Sequence, residues 1–285
     1  MLYTLPSPLG KVSAQPTKEA EFMKITVLCE NTSCREGIAF EHGLSLFIET
    51  KEKNILFDMG ASELFARNAQ KLGVDISSAD IAVISHGHYD HGGGLCEFLK
   101  INEKAPVYVN RRAFGEHYNA SFKNIGLDPS LSESERIVFV DEVLEIGDGI
   151  TLFSCNERER TYKTDPAGQK CLKNGILCCE DFLHEQYLLV KEDGKRVLFS
   201  GCSHKGILNI CKWFAPDVLV GGFHFMKLDT SGEGGAVLEH AARELLSYPT
   251  KYYTAHCTGE TQFAFLKERM GTRLEYVCAG DSIDV

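Results

Sequence analysis

Residues 84–94 read Ile-Ser-His-Gly-His-Tyr-Asp-His-Gly-Gly-Gly, which places His86, His88, Asp90 and His91 within six positions. Neutral imidazoles and a carboxylate are ligands for zinc, iron or manganese. In extended chain, residues two apart point the same way. His86 and His88 can therefore grip one ion, and Asp90 and His91, after the chain turns, can face a second. The glycines that follow let the backbone turn tightly beside the ions and open a helix. A polar surface turn is the plain alternative, but four ligand-type residues at the end of an apolar strand are seldom accidental.

Two ions need further ligands, and the candidates also follow apolar runs. Val-Leu-Phe-Ser-Gly-Cys-Ser-His delivers Cys202 and His204, Tyr-Tyr-Thr-Ala-His delivers His256, Leu-Val-Gly-Gly-Phe-His delivers His224, and Ile-Leu-Phe-Asp delivers Asp58. Each alone reads as an ordinary polar loop residue. Together they imply one sheet edge where strand ends converge. A metal-bound histidine donates its second nitrogen proton to a carboxylate or carbonyl. Asp58 is the candidate for that supporting role, with capping of the helix that begins near Ala61 as its alternative.

The elements that must position these residues are short apolar runs bounded by Gly, Asn and Asp. Strands are predicted at 24–29, 44–49, 54–58, 81–85, 106–110, 136–140, 150–154, 187–191, 196–200, 217–222, 251–255 and 274–278. Thr50–Asn54 and the Glu-Asp-Gly of 192–194 read as charged hairpin turns. Apolar residues at helical spacing predict helices over 61–73, 204–215, 234–247 and 259–271. Residues 155–185 are irregular, charged and Cys-rich, and are expected to form a long loop or lid. The pattern is that of a layered α/β (α+β) domain with buried sheets covered by helices.

The chain has 285 residues, a formal charge of −10 and 44% hydrophobic residues, enough for a sizeable core without staples. The acidic balance gives no field for nucleic acid. No apolar run reaches membrane-spanning length. The eleven cysteines are an odd number in a chain without a secretory pattern, which points to a reducing, cytoplasmic compartment. Residues 1–22 are polar, proline-dotted and aperiodic, and are expected to be a vector-derived leader before a single domain over 23–285.

The string Phe-Glu-His-Gly-Leu, Ile-Leu-Phe-Asp-Met-Gly, Ser-His-Gly-His-Tyr-Asp-His, Ser-Gly-Cys-Ser-His-Lys-Gly, Gly-Gly-Phe-His and Ala-His-Cys-Thr-Gly resembles the metallo-β-lactamase superfamily. Within it, the chain is similar to a branch of prokaryotic proteins named as dihydropterin–ribofuranosylaminobenzene phosphate synthases or simply metallo-hydrolases. The resemblance covers essentially Met23 to the C-terminus. It implies a four-layer αββα sandwich of two mixed β-sheets flanked by helices, with one or two divalent ions, zinc first and iron or manganese next. It also implies that His86 and His88 bind the first ion, Asp90 and His91 the second, and that His256 is the last ligand. Two departures stand out. Where many members carry a further histidine before the penultimate strand, only His184 is near. Where they carry a bridging aspartate, this chain has Cys202. We expect His204 to supply the missing histidine and Cys202 to occupy the bridging position, as a weak ligand or as none.

The chemistry expected of such a centre is hydrolysis by a metal-bound hydroxide on a small phosphorylated or ester substrate. Asp90 is the candidate to orient the nucleophile and His224 the candidate acid. Lys205, His224, Thr258 and His42 are the candidate substrate contacts. Condensation of a dihydropterin with a ribofuranosylaminobenzene phosphate is the second enzyme reading. A redox or gas-handling metal protein is the alternative of another class, since fold does not fix function. The expected partner is a small, phosphate-bearing molecule, with no nucleic acid and no membrane. Amphipathic faces on three helices leave room for a homodimer.

Overall fold

The computed structural model describes residues 23–147 and 149–285, so the expected leader lies outside the described residues. In chain order the strands of the first half are β1 (Lys24–Cys29), β2 (Ser45–Glu49), β3 (Asn54–Phe57), β4 (Ile81–Ile84), β5 (Val107–Asn110), β6 (His117–Tyr118), β7 (Ile137–Val140) and β8 (Val143–Gly147). The second half holds β9 (Ile150–Phe153), β10 (Lys170–Lys173), β11 (Ile176–Cys179), β12 (Tyr187–Glu192), β13 (Lys195–Ser200), β14 (Val218–Gly221), β15 (Lys251–Thr254), β16 (Leu274–Tyr276) and β17 (Ser282–Asp284). The helices are α1 (Leu64–Leu72), α2 (Tyr89–Gly92), α3 (Leu95–Ile101), α4 (Ile207–Phe214), α5 (Gly232–Leu246) and α6 (Glu260–Met270).

Two seven-stranded mixed sheets run in the orders β17-β1-β2-β3-β4-β5-β7 and β16-β15-β14-β13-β12-β9-β8. Side chains alternate across each strand, so one strand feeds two cores. In β2, Leu46 and Ile48 point into the layer between the sheets, while Phe47 packs with Phe65 of α1 and Phe98 of α3. In β13, Val197 and Phe199 enter the same inter-sheet layer, while Leu198 packs with Phe214, Leu238 and Leu266 of α4, α5 and α6. Phe57 and Phe199 meet across the sheets with ring centroids 5.9 Å apart. Three apolar layers thus separate helix, sheet, sheet and helix, the αββα arrangement.

The twelve expected strands and four expected helices form with ends shifted by a few residues. The helix expected after the glycines forms as α3, while sequence reading misses the short α2, because ligand and glycine residues mask its period. The 155–185 stretch is less irregular than expected: β10 and β11 pair as a hairpin and join β6 in a third, three-stranded sheet. Residues 161–169 remain extended and irregular, pinned to α4 where Asn209 exchanges hydrogen bonds of 2.8 Å with both backbone groups of Tyr162.

Candidate metal centre

The parallel strands β4, β13, β14 and β15 deliver His86, Cys202 and His204, His224, and His256 from their C-terminal ends. Ligands gather there because parallel strands carry their following loops to the same edge. Nine of the ten histidines form a connected cluster of rings. Two glycines make the approach feasible. A Cβ on Gly87 would lie 2.2 Å from the Ala113 carbonyl oxygen, and one on Gly222 would lie 2.3 Å from Cys257 Sγ.

Hydrogen bonds fix which nitrogen of each ring faces the centre. Asp58 is fully buried and accepts from Ser85 N at 2.7 Å and Ser85 Oγ at 2.7 Å. Its Oδ2 also accepts from His91 Nδ1 at 2.6 Å. Having donated to Asp58, Ser85 Oγ is left to accept from His86 Nδ1 at 2.9 Å. His256 Nδ1 donates to Asn31 Oδ1 at 2.8 Å. His86, His91 and His256 therefore all turn Nε2 inward.

The inward atoms form two sets. His86 Nε2 and His204 Nε2 lie 3.3 Å apart, and their group includes Cys202. His91 Nε2 lies 3.2 Å from both His256 Nε2 and Cys202 Sγ, and Asp90 Oδ2 is 3.3 Å from His256 Nε2. Two nitrogens bound to one tetrahedral ion at the usual bond length are about 3.3 Å apart. The donor set thus fits a divalent ion in each group, with Cys202 common to both. His88 lies beside His86 and His204, at ring-centroid distances of 4.6 and 4.9 Å.

The electrostatics agree with ligation. Burial holds His86 and His204 well below the ordinary histidine range and His88 down to about 3, so these rings keep a free lone pair at neutral pH. Burial opposes ionisation of Asp90, but His91, His256 and His42 overcome it and hold the carboxyl well below the usual carboxylate range. Burial also opposes charge on His91, yet Asp58 and Asp90 push its pKa up to about 9. The centre of this group demands a positive charge. Burial raises the Cys202 thiol, whereas coordination to a metal deprotonates a thiol outright.

His184 occupies a different role. Its Nδ1 accepts from Gly87 N at 2.9 Å, which places the proton of the neutral ring on Nε2 and leaves that atom no lone pair to offer. Its ring lies tilted at 44° with its centroid 4.0 Å from that of His117, whose Nδ1 contacts Glu180 Oε2 at 2.6 Å. His204 stacks on Phe182 at 4.3 Å, and its backbone N–H donates to Glu185 Oε1 at 2.6 Å.

Several expected roles are corrected. Lys205 is fully buried, and its ammonium donates to the carbonyls of Ser154 at 2.6 Å and Glu185 at 2.8 Å. It is an internal strut and cannot meet a phosphate. Thr258 is likewise buried, its hydroxyl accepting from Phe223 N at 2.8 Å and bonded to Thr254. Asp58 does not cap α1. The N-terminus of α1 carries no side-chain cap, and Glu41 instead ties the turn before it, its Oε1 accepting from Ala61 N and Ser62 N, both at 3.0 Å. His42 does line the mouth, with Nε2 3.3 Å from Asp90 Oδ2. His224 faces the cavity in a left-handed backbone conformation (φ 58°), its ring 4.3 Å from His204.

Sequence reasoning missed Glu30, Asn31, Ser85, His117, Glu180, Glu185 and Cys257. Glu30 Oε1 accepts from His256 N at 2.6 Å and holds the left-handed turn at His256. The signal for Glu30 and Asn31 is the one that flagged the ligands, polar residues directly after an apolar strand.

The centre opens into a cavity of about 1080 Å³. Its floor includes His88, Asp90, Cys202, His204 and His256, and its walls come from α4, α5, the 223–228 loop and the 161–169 strap.

Known proteins share this architecture. The family profile described as the metallo-beta-lactamase superfamily matches residues 39–160. A protein of Methanocaldococcus jannaschii named 7,8-dihydropterin-6-methyl-4-(beta-D-ribofuranosyl)-aminobenzene-5'-phosphate synthase is 28% identical over 253 residues, covering 80% of this chain and 85% of that protein. An uncharacterized protein of the same organism is 28% identical over 246 residues, covering 82% and 90%. A crystal structure described as a metal-dependent hydrolase of the beta-lactamase superfamily aligns with a TM-score of 0.78 and 30% identity, over 92% of this chain and 99% of that one. Identity at that level across nearly the whole of both chains, on an αββα frame, leaves one family assignment: the chain belongs to the metallo-β-lactamase superfamily.

Proposed function

We propose that this protein is a metal-dependent hydrolase of small ester or phosphoester substrates. The observation that carries the reading is the pair of facing nitrogen sets, His86 with His204 and His91 with His256, at the floor of an open cavity. His86, His88, His204 and Cys202 would hold one divalent ion, and Asp90, His91, His256 and Cys202 a second, with zinc first and iron or manganese next. Such ions lower the pKa of water to near neutrality and polarise a carbonyl or phosphoryl oxygen. Asp90, kept ionised by three imidazoles, would orient an attacking water. His224, at the cavity wall, is placed to donate to the leaving group. His42 steadies Asp90 from the solvent side.

The test is turnover of a panel of phosphodiesters, phosphomonoesters and carboxylic esters by protein loaded separately with zinc, manganese and iron. Ion-dependent turnover that drops by roughly 100-fold or more in Asp90→Asn supports the reading. The second reading, synthase chemistry, is favoured by the name of the 28%-identical relative. Pterin condensation by the loaded protein, with no ester turned over, would reverse the order.

A further inference from the structure

The cavity is larger than its reacting floor requires, and its outer part is chemically different from the floor. Leu208 of α4, Phe225, Met226 and Leu228 of the 223–228 loop, and Ala236 and Val237 of α5 line it together. Val237 keeps 48% of its surface exposed there. These side chains come from three separate elements, so the apolar lining is not one helix face awaiting a packing partner. Lys163 and Lys227 stand at the same mouth, both exposed and with no ion pair among the described residues. Asp165, on the same strap, accepts from Ala167 N at 2.8 Å and offsets one of these two charges, leaving the rim net positive. Two unpaired ammonium groups at the mouth of an apolar cavity, in a chain of net charge −10, form a local anion-attracting rim.

We infer that the substrate is an amphipathic anion. Its cleavable group lies on the histidine floor, an apolar body fills the space between α4 and α5, and a distal carboxylate or phosphate meets Lys163 and Lys227. This deepens the hydrolase reading and rests on it for the orientation of the substrate. The volume suits a drug-sized molecule and exceeds what a short ester needs. Burying the apolar body removes Val237 and its neighbours from water and supplies affinity, while the two lysines select the charged end.

Equilibrium binding to the metal-loaded protein tests this without any turnover. The probes are α,ω-dicarboxylates of four, eight and twelve carbons and the matching monocarboxylates, followed by calorimetry. Affinity is expected to rise by about twofold to fourfold per added methylene up to the cavity length. The twelve-carbon dicarboxylate is expected to exceed its monocarboxylate by about fivefold, an advantage that Lys163→Gln with Lys227→Gln removes. Val237→Asn, neutral and at a half-exposed site that tolerates a polar side chain, should flatten the length dependence. Affinity independent of length, or a dicarboxylate advantage that survives the double lysine variant, overturns the inference. Absent ester turnover with these binding trends intact would instead count against the hydrolase reading alone.

Discussion

Asp58 Oδ2 lies 2.6 Å from His91 Nδ1, and the same carboxylate reaches His86 through the hydroxyl of Ser85. One buried side chain therefore sets the tautomer of a histidine in each nitrogen set. It also ties them to β4, because its Oδ1 accepts the backbone N–H of Ser85.

The first prediction concerns this hub. Asp58 has a left-handed backbone (φ 58°), which asparagine tolerates, so Asp58→Asn should fold. It removes the charge that fixes both rings. Metal affinity should fall by about 10- to 100-fold, read by competition with a chromogenic chelator. Unchanged affinity would mean that the rings are oriented by packing alone.

The choice between His204 and His184 gives a second prediction. His204→Ala removes an inward nitrogen and should abolish tight binding at one of two sites, seen as loss of about one metal equivalent by elemental analysis. His184→Gln keeps an acceptor for Gly87 N and should retain the metal content. Retention in His204→Ala with loss in His184→Gln would exchange their roles.

Stability against pH in chelator-treated protein supplies a third. The pKa of His91 is raised to about 9 in the folded state, against about 6.5 when unfolded. Its contribution is full below about pH 6.5 and is lost as pH rises toward 9. His88 is depressed to about 3, so the unfolded chain binds the extra proton between about pH 3 and 6.5 and stability falls as pH drops through that window. Thermal melting should therefore peak in the neutral region. Added metal should remove the alkaline limb, since a His91 coordinated through Nε2 keeps its Nδ1 proton and cannot take up a second. An alkaline limb that persists with metal would place His91 outside the coordination shell.

Lys205 yields a fourth. Its ammonium, lowered to about 8 by burial, is spent on two carbonyls that link β9 to the 203–206 turn. Lys205→Met should cost roughly 2–4 kcal/mol in denaturant unfolding, because it leaves Ser154 O and Glu185 O without donors. In the folded fraction, KM for a phosphorylated substrate should not move. A selective rise in KM with full stability would restore Lys205 to the substrate site.

Much of this protein is written locally. The alternation of Leu46, Phe47 and Ile48, and of Val197, Leu198 and Phe199, dictates strands buried on both faces, and hence a layered fold. The spacing of His86, His88, Asp90 and His91 marks a metal loop because the types and order of these residues are themselves those of a ligand set. What sequence cannot specify is the direction of a side chain whose partners are distant. His204 and His184 both follow apolar sequence, and they part only because Gly87 N donates to one and His86 faces the other. Lys205 looks like a phosphate ligand until Ser154 and Glu185 claim its ammonium across the fold. Asn31 and Glu30 acquire their roles only when β1 is laid within reach of His256, more than 220 residues along the chain. A hydrogen bond fixes a tautomer, and the tautomer decides which nitrogen is free to bind. That choice belongs to tertiary structure.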